Sequence, residues 1–368
     1  MSFKQKRLSD SLQKRRLLCQ DINTIQQAAI ASINQKNNDW DIALSDNLLF
    51  DQAGLQALQD ALASYSGNAG ELHFKLQLSE QAVRDYYSHS TFLQTDGSVL
   101  LPVKAIRKGS SQSDSIETLN VAIAELTTKI NYPLSLTSAD INSTPLGLLM
   151  PYSCDHDYLF ANQVALFSML NLHIRKSPLN GLRGIFSRRK ISLNQRVALA
   201  WKKVAKNADI HPTAIIEGSV IGEGCRIGAH CVVRYSILGK NVQLHDGAKV
   251  EYSCVDDNSW LMHDLVLYRS LVESDVFLIH GPYQFSYFQK QSAAFASIMM
   301  DYRPDNKPIR IGTANGVKDY KGRFLGALLE EKAKVYGGTL TTPGITIPAG
   351  KEITVGAESV TKAKDLIN

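Results

Sequence analysis

The sequence has no apolar run long enough to span a bilayer as a helix. Its basic start, MSFKQKRLSDSLQKRRLL, lacks the apolar core of a secretory signal, and its Arg and Lys content is the only sign of an organelle transit peptide. No CxxC occurs, and an odd total of five cysteines argues against a disulfide framework. These absences predict a reduced, cytoplasmic protein. Acidic residues are missing from Tyr158 to Ala208, where ten Lys and Arg stand unopposed. Such a tract suits a phosphate-bearing ligand, an anionic membrane surface or nucleic acid, and a solvated helical linker is the plainer reading. No RNA- or DNA-binding signature accompanies the charge, so nucleic acid is not an expected partner.

With 368 residues the chain exceeds a single core of roughly 250–300 residues, so two domains are expected. From residue 216 four units of 17 residues follow one another: IEGSVIGEGCRIGAHCV, VRYSILGKNVQLHDGAK, VEYSCVDDNSWLMHDLV and LYRSLVESDVFLIHGPY. Serine recurs at Ser219, Ser236, Ser253 and Ser270. Aliphatics hold three columns. The first is Ile216, Val233, Val250 and Leu267; the second is Ile221, Leu238, Val255 and Val272; the third is Ile227, Leu244, Leu261 and Leu278, with Ile210 one unit earlier. An inward apolar residue about every six, with Gly, Asn, Asp or Ser between, describes a chain that turns a corner each half-dozen residues. Three short strands make one triangular coil, and each coil buries its face only against its neighbours. Leu329, Val335, Thr341, Ile347 and Ile353 resume the six-residue step near the end.

This pattern resembles the hexapeptide-repeat family, and IHPTAIIEGSVIGEGCRIG is similar to that family's opening coils. The resemblance implies a left-handed parallel β-helix over 209–368, interrupted by an excursion at about 284–324. It also implies a homotrimer, since many members are trimeric acyltransferases, while others bind metal or serve as structural appendages. The stretch QFSYFQKQSAAFA lacks the glycine-punctuated hexads and reads as an irregular replacement for a coil.

The front half reads as α/β or mixed α+β. Residues 1–35 read as helical from Leu8, Leu12, Ile22, Ile25 and Ile30, residues 36–157 as an α/β domain, and 158–208 as a basic helical connector. WDIALSDNLLFDQAGLQALQDALASY suggests a strand, a turn carrying Asp46 and an amphipathic helix. ELHFKLQL and SVLLPVKAI read as strands, and DHDYLFANQVALFSMLNLHI as an apolar helix. The stretch around Asp46 is faintly similar to sugar-phosphate nucleotidyltransferases, in which an aspartate there helps hold Mg²⁺. The chain lacks the Gly-rich phosphate loop of that fold, so residues 36–157 read as a diverged or truncated nucleotidyltransferase-like domain without nucleotidyl transfer, and an ordinary turn residue is the simpler role for Asp46.

Five histidines fall in the repeats: His211, His230, His245, His263 and His280. His263 and His280 share a column and should stack roughly 5 Å apart. Three readings compete. Corners tolerate exposed histidine without function. A metal needs three converging ligands, and the two histidines five residues apart on one coil that serve hexapeptide-family carbonic anhydrases are missing, so no metal is expected. The third reading is catalysis. LYRSLVESDVFLIHGPY resembles glucosamine-1-phosphate acetyltransferase domains, with ten residues from Ser270 to His280 and an H-x-x-Y ending at Tyr283. ASIMMDYRPDNKPIRI resembles their excursion loop, and sixteen residues separate Ala327 from Pro343 as in their R-x-L-G-A and P-G landmarks.

The resemblance implies acyl transfer from acetyl-CoA to an amino-sugar phosphate or sugar-nucleotide acceptor, with His280 as general base. It implies that Tyr283 shapes the acceptor pocket, that Gly326 and Ala327 line a pantetheine groove, and that Tyr302 and Arg303 reach the acceptor across a trimer interface. Tyr268 stands where that family has the phosphate-binding lysine, for which Arg269 would substitute, and Asp301 replaces an asparagine. The rival reading is a non-catalytic binding or assembly module using the basic tract. An open groove beside Gly326 and Ala327 reaching His280 would favour the enzyme; Phe285, Tyr287 and Phe288 filling it would favour the module.

Overall fold

The computed structural model describes residues 2–5, 16–18, 20–32, 39–45, 47–109, 115–130, 140–176, 193–305, 307–313 and 316–354. Two compact units result: one of residues 1–198 with 308–323, the other of 199–307 with 324–368.

The first unit is built on a mixed five-stranded sheet, ordered Ser2–Gln5, Trp40–Leu44, Val99–Arg107, Glu71–Gln77, Ile116–Ala122. The two inner pairings are antiparallel and the two outer ones parallel. Leu72, Phe74 and Leu76 alternate into the core, as do Val99, Leu101, Val103 and Ala105, the period of a half-buried strand. The helices Gln52–Ala63 and Asp155–Lys176 supply Leu55, Leu58 and Leu62, and Tyr158, Phe160, Val164 and Leu166. The expected strands and these helices are present. Among the described residues the helical reading of 1–35 holds for Ile22–Ser32, and Leu8 and Leu12 lie outside those residues. Ser2–Gln5 instead pairs with Trp40–Leu44, and Arg16–Leu17 with Gln20–Asp21. At Ser2–Gln5, long-range pairing overrides local propensity. Asp46 lies outside the described residues. Among the described residues no helix is long and apolar enough to cross a membrane.

Asp51 ties this unit together. Its carboxylate accepts from the amides of Gly54 at 2.8 Å and Leu148 at 2.9 Å, capping the helix Gln52–Ala63 and anchoring the strand before the long helix. Burial outweighs these hydrogen bonds and pushes the carboxyl above its ordinary value. The folded chain then holds this proton at a pH where the unfolded chain has released it. This group's contribution to stability therefore declines as pH rises from the ordinary carboxylate range through the raised value. Asp51→Asn keeps an acceptor oxygen and should flatten that decline, whereas Asp51→Ala should cost about 1–2 kcal/mol through the lost cap. Urea midpoints of the three proteins between pH 4 and 7 check both.

The second unit is a parallel β-solenoid. Two of its sheets contain eight parallel strands each, and the third contains five. Every aliphatic column of the repeat is a hydrogen-bonded ladder. Ile216, Val233, Val250 and Leu267 stack in the third sheet. Ile221, Leu238, Val255 and Val272 stack in the first. Ile210, Ile227, Leu244, Leu261 and Leu278 stack in the second.

The stretch expected to be irregular is a full coil. Leu267 pairs with Tyr283, Val272 with Phe288 and Leu278 with Ala294, and each step is 16 residues instead of 17. One residue has been lost at the corner 280–282, which hid the register. Tyr283 and Phe288 are wholly buried where smaller aliphatics stand in earlier coils, and Ala294 in the remaining column leaves room for them. Core volume is thereby kept. Leu329, Val335, Ile347 and Ile353 continue the ladders of the first and second sheets, and Thr341 pairs with Met299 in a separate two-stranded sheet.

The serine column is a second ladder inside one corner. Each hydroxyl donates to the carbonyl two residues back: Ser219 to Glu217 at 2.7 Å, Ser236 to Arg234 at 2.7 Å, Ser253 to Glu251 at 2.8 Å and Ser270 to Tyr268 at 3.0 Å. Each oxygen also accepts the amide of the next serine, ending with Ser286 at 3.0 Å. The column therefore satisfies buried backbone groups that a tight corner leaves without sheet partners. Ser253→Ala leaves the Ser270 amide unpaired in the interior and should cost about 1–3 kcal/mol, read as a fall in the solenoid's denaturation midpoint.

The excursion is shorter than expected. Coil geometry lasts to Met299, and the amide of Leu325 donates to the Asp301 carbonyl at 2.7 Å, closing the solenoid beneath the insertion. The insertion carries an antiparallel hairpin, Ile309–Thr313 with Gly316–Tyr320, that belongs to the first unit.

Candidate active site

Shortening the coil changes the corner at His280. In earlier coils the left-handed residue here is His230, Gly247 or Asp264, whereas in this coil it is His280 itself, with φ of 44°. Its imidazole is exposed and makes no hydrogen bond or ring contact among the described residues. The expected His263–His280 stack does not form. The ring pair that does form is His245 with His263, centroids 4.9 Å apart. The left-handed turn carries the His280 ring out of the ladder.

The residues that follow His280 up this corner are small. The amide of Ala296 donates to the Ile279 carbonyl at 2.9 Å, and that of Gly338 to the Ala296 carbonyl at 3.3 Å. Ala296 therefore stands above His280, and Gly337 above Ala296. All three are exposed. A Cβ added at Gly337 would meet nothing closer than 3.4 Å, so this strip carries no side chain larger than a methyl.

The other expected site residues are placed differently. Tyr283 is fully buried, its hydroxyl donating to the Ile279 carbonyl at 3.0 Å, and burial pushes its phenol up. It fills the prism interior, so it cannot shape an acceptor pocket outside. Gly326 is also buried: a Cβ there would lie 2.2 Å from the Gln284 carbonyl oxygen and from Ser286 Oγ. The glycine serves close coil-to-coil approach, and Ala327 beside it is 1% exposed, so the pair lines no groove in this chain. Phe288 occupies the core, Tyr287 is buried with its hydroxyl donating to Glu273, and Phe285 stacks on Phe324 at 5.2 Å.

Arg269 sits in a left-handed corner, with φ of 48°, and its guanidinium lies over the rings of Tyr252 and Phe285 at 5.8 and 5.9 Å. It is one member of an outer stack running Tyr235, Tyr252, Tyr268, Phe285 and Phe324. Tyr302 is 47% exposed. The fork of Arg303 is occupied by Asp305, at 2.9 and 2.6 Å, which raises the guanidinium and holds that carboxyl down to about 2. Desolvation raises the Asp301 carboxyl.

One surface feature was not anticipated. A depression of about 350 Å³ lies on the first coils, lined by His211, Arg226, Gln243, His245 and Asp246 around Gly228. Its signal was the 17-residue column His211, Gly228, His245, in which the glycine admits the Asp246 carboxylate at 2.4 Å from where a Cβ would stand.

Residues 202–264 match the family described as GlmU-like, C-terminal hexapeptide. The match lies wholly in the solenoid and ends before His280. No curated protein matches the chain. Similar solved structures include a hexapeptide transferase family protein from Anaplasma phagocytophilum, 18% identical over 41% of this chain and 72% of that one, with a TM-score of 0.25. Another is a mutant GDP-perosamine N-acetyl transferase from Caulobacter crescentus in complex with CoA and GDP-perosamine. It is 10% identical over 41% of this chain and 51% of that one, with a TM-score of 0.20. At these values neither carries an argument about chemistry.

Proposed function

We propose that this chain, whose residues 202–264 form a hexapeptide-repeat segment, is a CoA-dependent acyltransferase acting at the His280 corner. The observation that carries the reading is an exposed imidazole without partners among the described residues, below the strip of Ala296 and Gly337. That strip would admit a thin thioester arm along the outside of the coils. A neutral imidazole takes the proton of an amine or hydroxyl as it attacks the thioester carbonyl. The tetrahedral intermediate then expels the CoA thiolate, which takes the proton back. The acyl group is proposed to be acetyl and the acceptor an amino-sugar phosphate or sugar nucleotide. Tyr302, exposed on the excursion, is the acceptor contact, and Arg269 is the cation for a phosphate, because the fork of Arg303 already holds Asp305. The proposed assembly is a homotrimer in the cytoplasm.

A second reading is favoured by one observation. Tyr287 and Phe288 are buried, Phe285 stacks on Phe324, and no groove opens beside Gly326. A solenoid retained for binding or assembly would look like this, with the basic tract as its contact with an anionic partner. Residues 177–192 of that tract lie outside the described residues.

Calorimetric titration with CoA and thiol release from acetyl-CoA, over a panel of amino-sugar phosphates and sugar nucleotides, separate the two. Acceptor-dependent release supports the enzyme. No CoA binding and no release with any acceptor leave the scaffold. Light scattering should give three chains per particle, and a monomer would remove any site shared between subunits.

A further inference from the structure

The first unit contains a cluster that the solenoid chemistry does not use. A ring nitrogen of His89, the thiol of Cys154 and a carboxylate oxygen of Asp157 lie within 4.8 Å of one another, and all three residues are buried. We infer that these residues form a binding site for a borderline-soft divalent cation of the Zn²⁺ class.

The local chain explains the convergence. Asp157 lies in the first turn of the helix Asp155–Lys176. One of its oxygens accepts from the Ser153 amide at 2.6 Å, the Ser153 hydroxyl at 2.8 Å and the Cys154 amide at 2.8 Å. This folds the chain back on the helix start and sets the Cys154 thiol beside the carboxylate. The other oxygen lies 2.6 Å from His89 Nε2. The His89 ring packs against both Phe160 and Tyr320, at 5.3 and 5.8 Å, and those two rings stack on each other at 5.4 Å. Tyr320 is anchored in turn by its hydroxyl, which donates to the Asp85 carbonyl at 2.7 Å. The donors are thus fixed from three directions inside an apolar wall.

A purely structural role explains the His89–Asp157 hydrogen bond but not its surroundings. Among the described residues His89 Nδ1 has no partner, and neither has Nε2 of the adjacent, wholly buried His156. Among the described residues the Cys154 thiol makes no hydrogen bond either. A buried imidazole and a buried thiol converging on one carboxylate are unusual without a ligand to engage them. Nitrogen, sulfur and carboxylate together suit Zn²⁺, whose bonds of about 2.0–2.3 Å require the 2.6 Å His89–Asp157 pair to open and the Cys154 thiol to close on the ion. Ca²⁺ and Mg²⁺ take oxygen ligands and would not select it. On binding, the Cys154 Sγ–H proton goes to solvent, and the proton between His89 and Asp157 passes to His89 Nδ1 so that the cation takes its place. Three protein ligands leave one position open.

The test uses the full chain after treatment with a chelator. Titration with Co²⁺ should give one ion per chain, with the near-ultraviolet charge-transfer absorption that only thiolate ligation produces, and Zn²⁺ should displace it. Cys154→Ser should abolish the absorption, and His89→Gln should weaken binding by about 100-fold or more. Cys254→Ser, a buried cysteine of the solenoid, should leave both unchanged. If Cys154→Ser fails to fold, the wild-type absorption and a rise in its melting temperature with added Zn²⁺ still decide. No absorption in the wild type, or one that survives in folded Cys154→Ser, overturns the site.

Discussion

Replacing His280 by alanine should lower acceptor-dependent release of CoA by about 10²-fold or more, the scale for losing a general base. The loss should fall on kcat, since the imidazole moves a proton in the transition state and contributes little to holding CoA. Folding should be unaffected. The side chain is exposed, and alanine already occupies the equivalent left-handed position one coil later at Ala296, with φ of 46°. Far-ultraviolet dichroism and an unchanged melting temperature check that point. His263→Ala, one coil earlier, serves as the comparison, because its ring faces His245 and not the strip. Equal losses in the two variants would place the proton transfer elsewhere.

Phe288→Ala should destabilise the solenoid by about 3–5 kcal/mol, as expected for deleting a buried aromatic ring. Phe288 is 0% exposed, packs edge-on against Tyr283 at 5.4 Å, and occupies the column held below it by Val272. Its neighbours are fixed by hydrogen-bonded coils on both sides, so the cavity has little room to collapse. Phe288→Leu restores most of the volume and should cost under about 1.5 kcal/mol. Urea denaturation followed by dichroism gives both numbers. A loss below about 1 kcal/mol for the alanine variant would mean that this coil is not packed as the ladders indicate.

The aromatic coil also shows where pattern reading stopped. The aliphatic columns were legible because inward residues of a solenoid obey a fixed step, and each column maps onto one hydrogen-bonded ladder. A single deletion at 280–282 moved the step from 17 to 16, and the aromatic substitutions removed the aliphatic signal at the same place. What survived was total core volume, with Ala294 set against Tyr283 and Phe288, and volume is shared between columns that are not neighbours in sequence. Gly326 was ambiguous for a related reason. A glycine beside a small residue suits a ligand groove or a close coil contact equally, and only the 2.2 Å approach to Gln284 distinguishes them.

The His89 cluster had no sequence signal at all. Its histidine and aspartate are separated by 68 residues and join only because the chain around Asp157 folds back on a helix start while Tyr320 closes over the imidazole. The sequence by itself determined the solenoid, its three columns and its serine ladder, because a repeat states the same local contact many times. The tertiary structure alone decided which residues face solvent at the corners, which aromatics become core, and where histidine, thiol and carboxylate meet. Those outcomes depend on pairs of residues that occur once, and a single pair leaves no period to read.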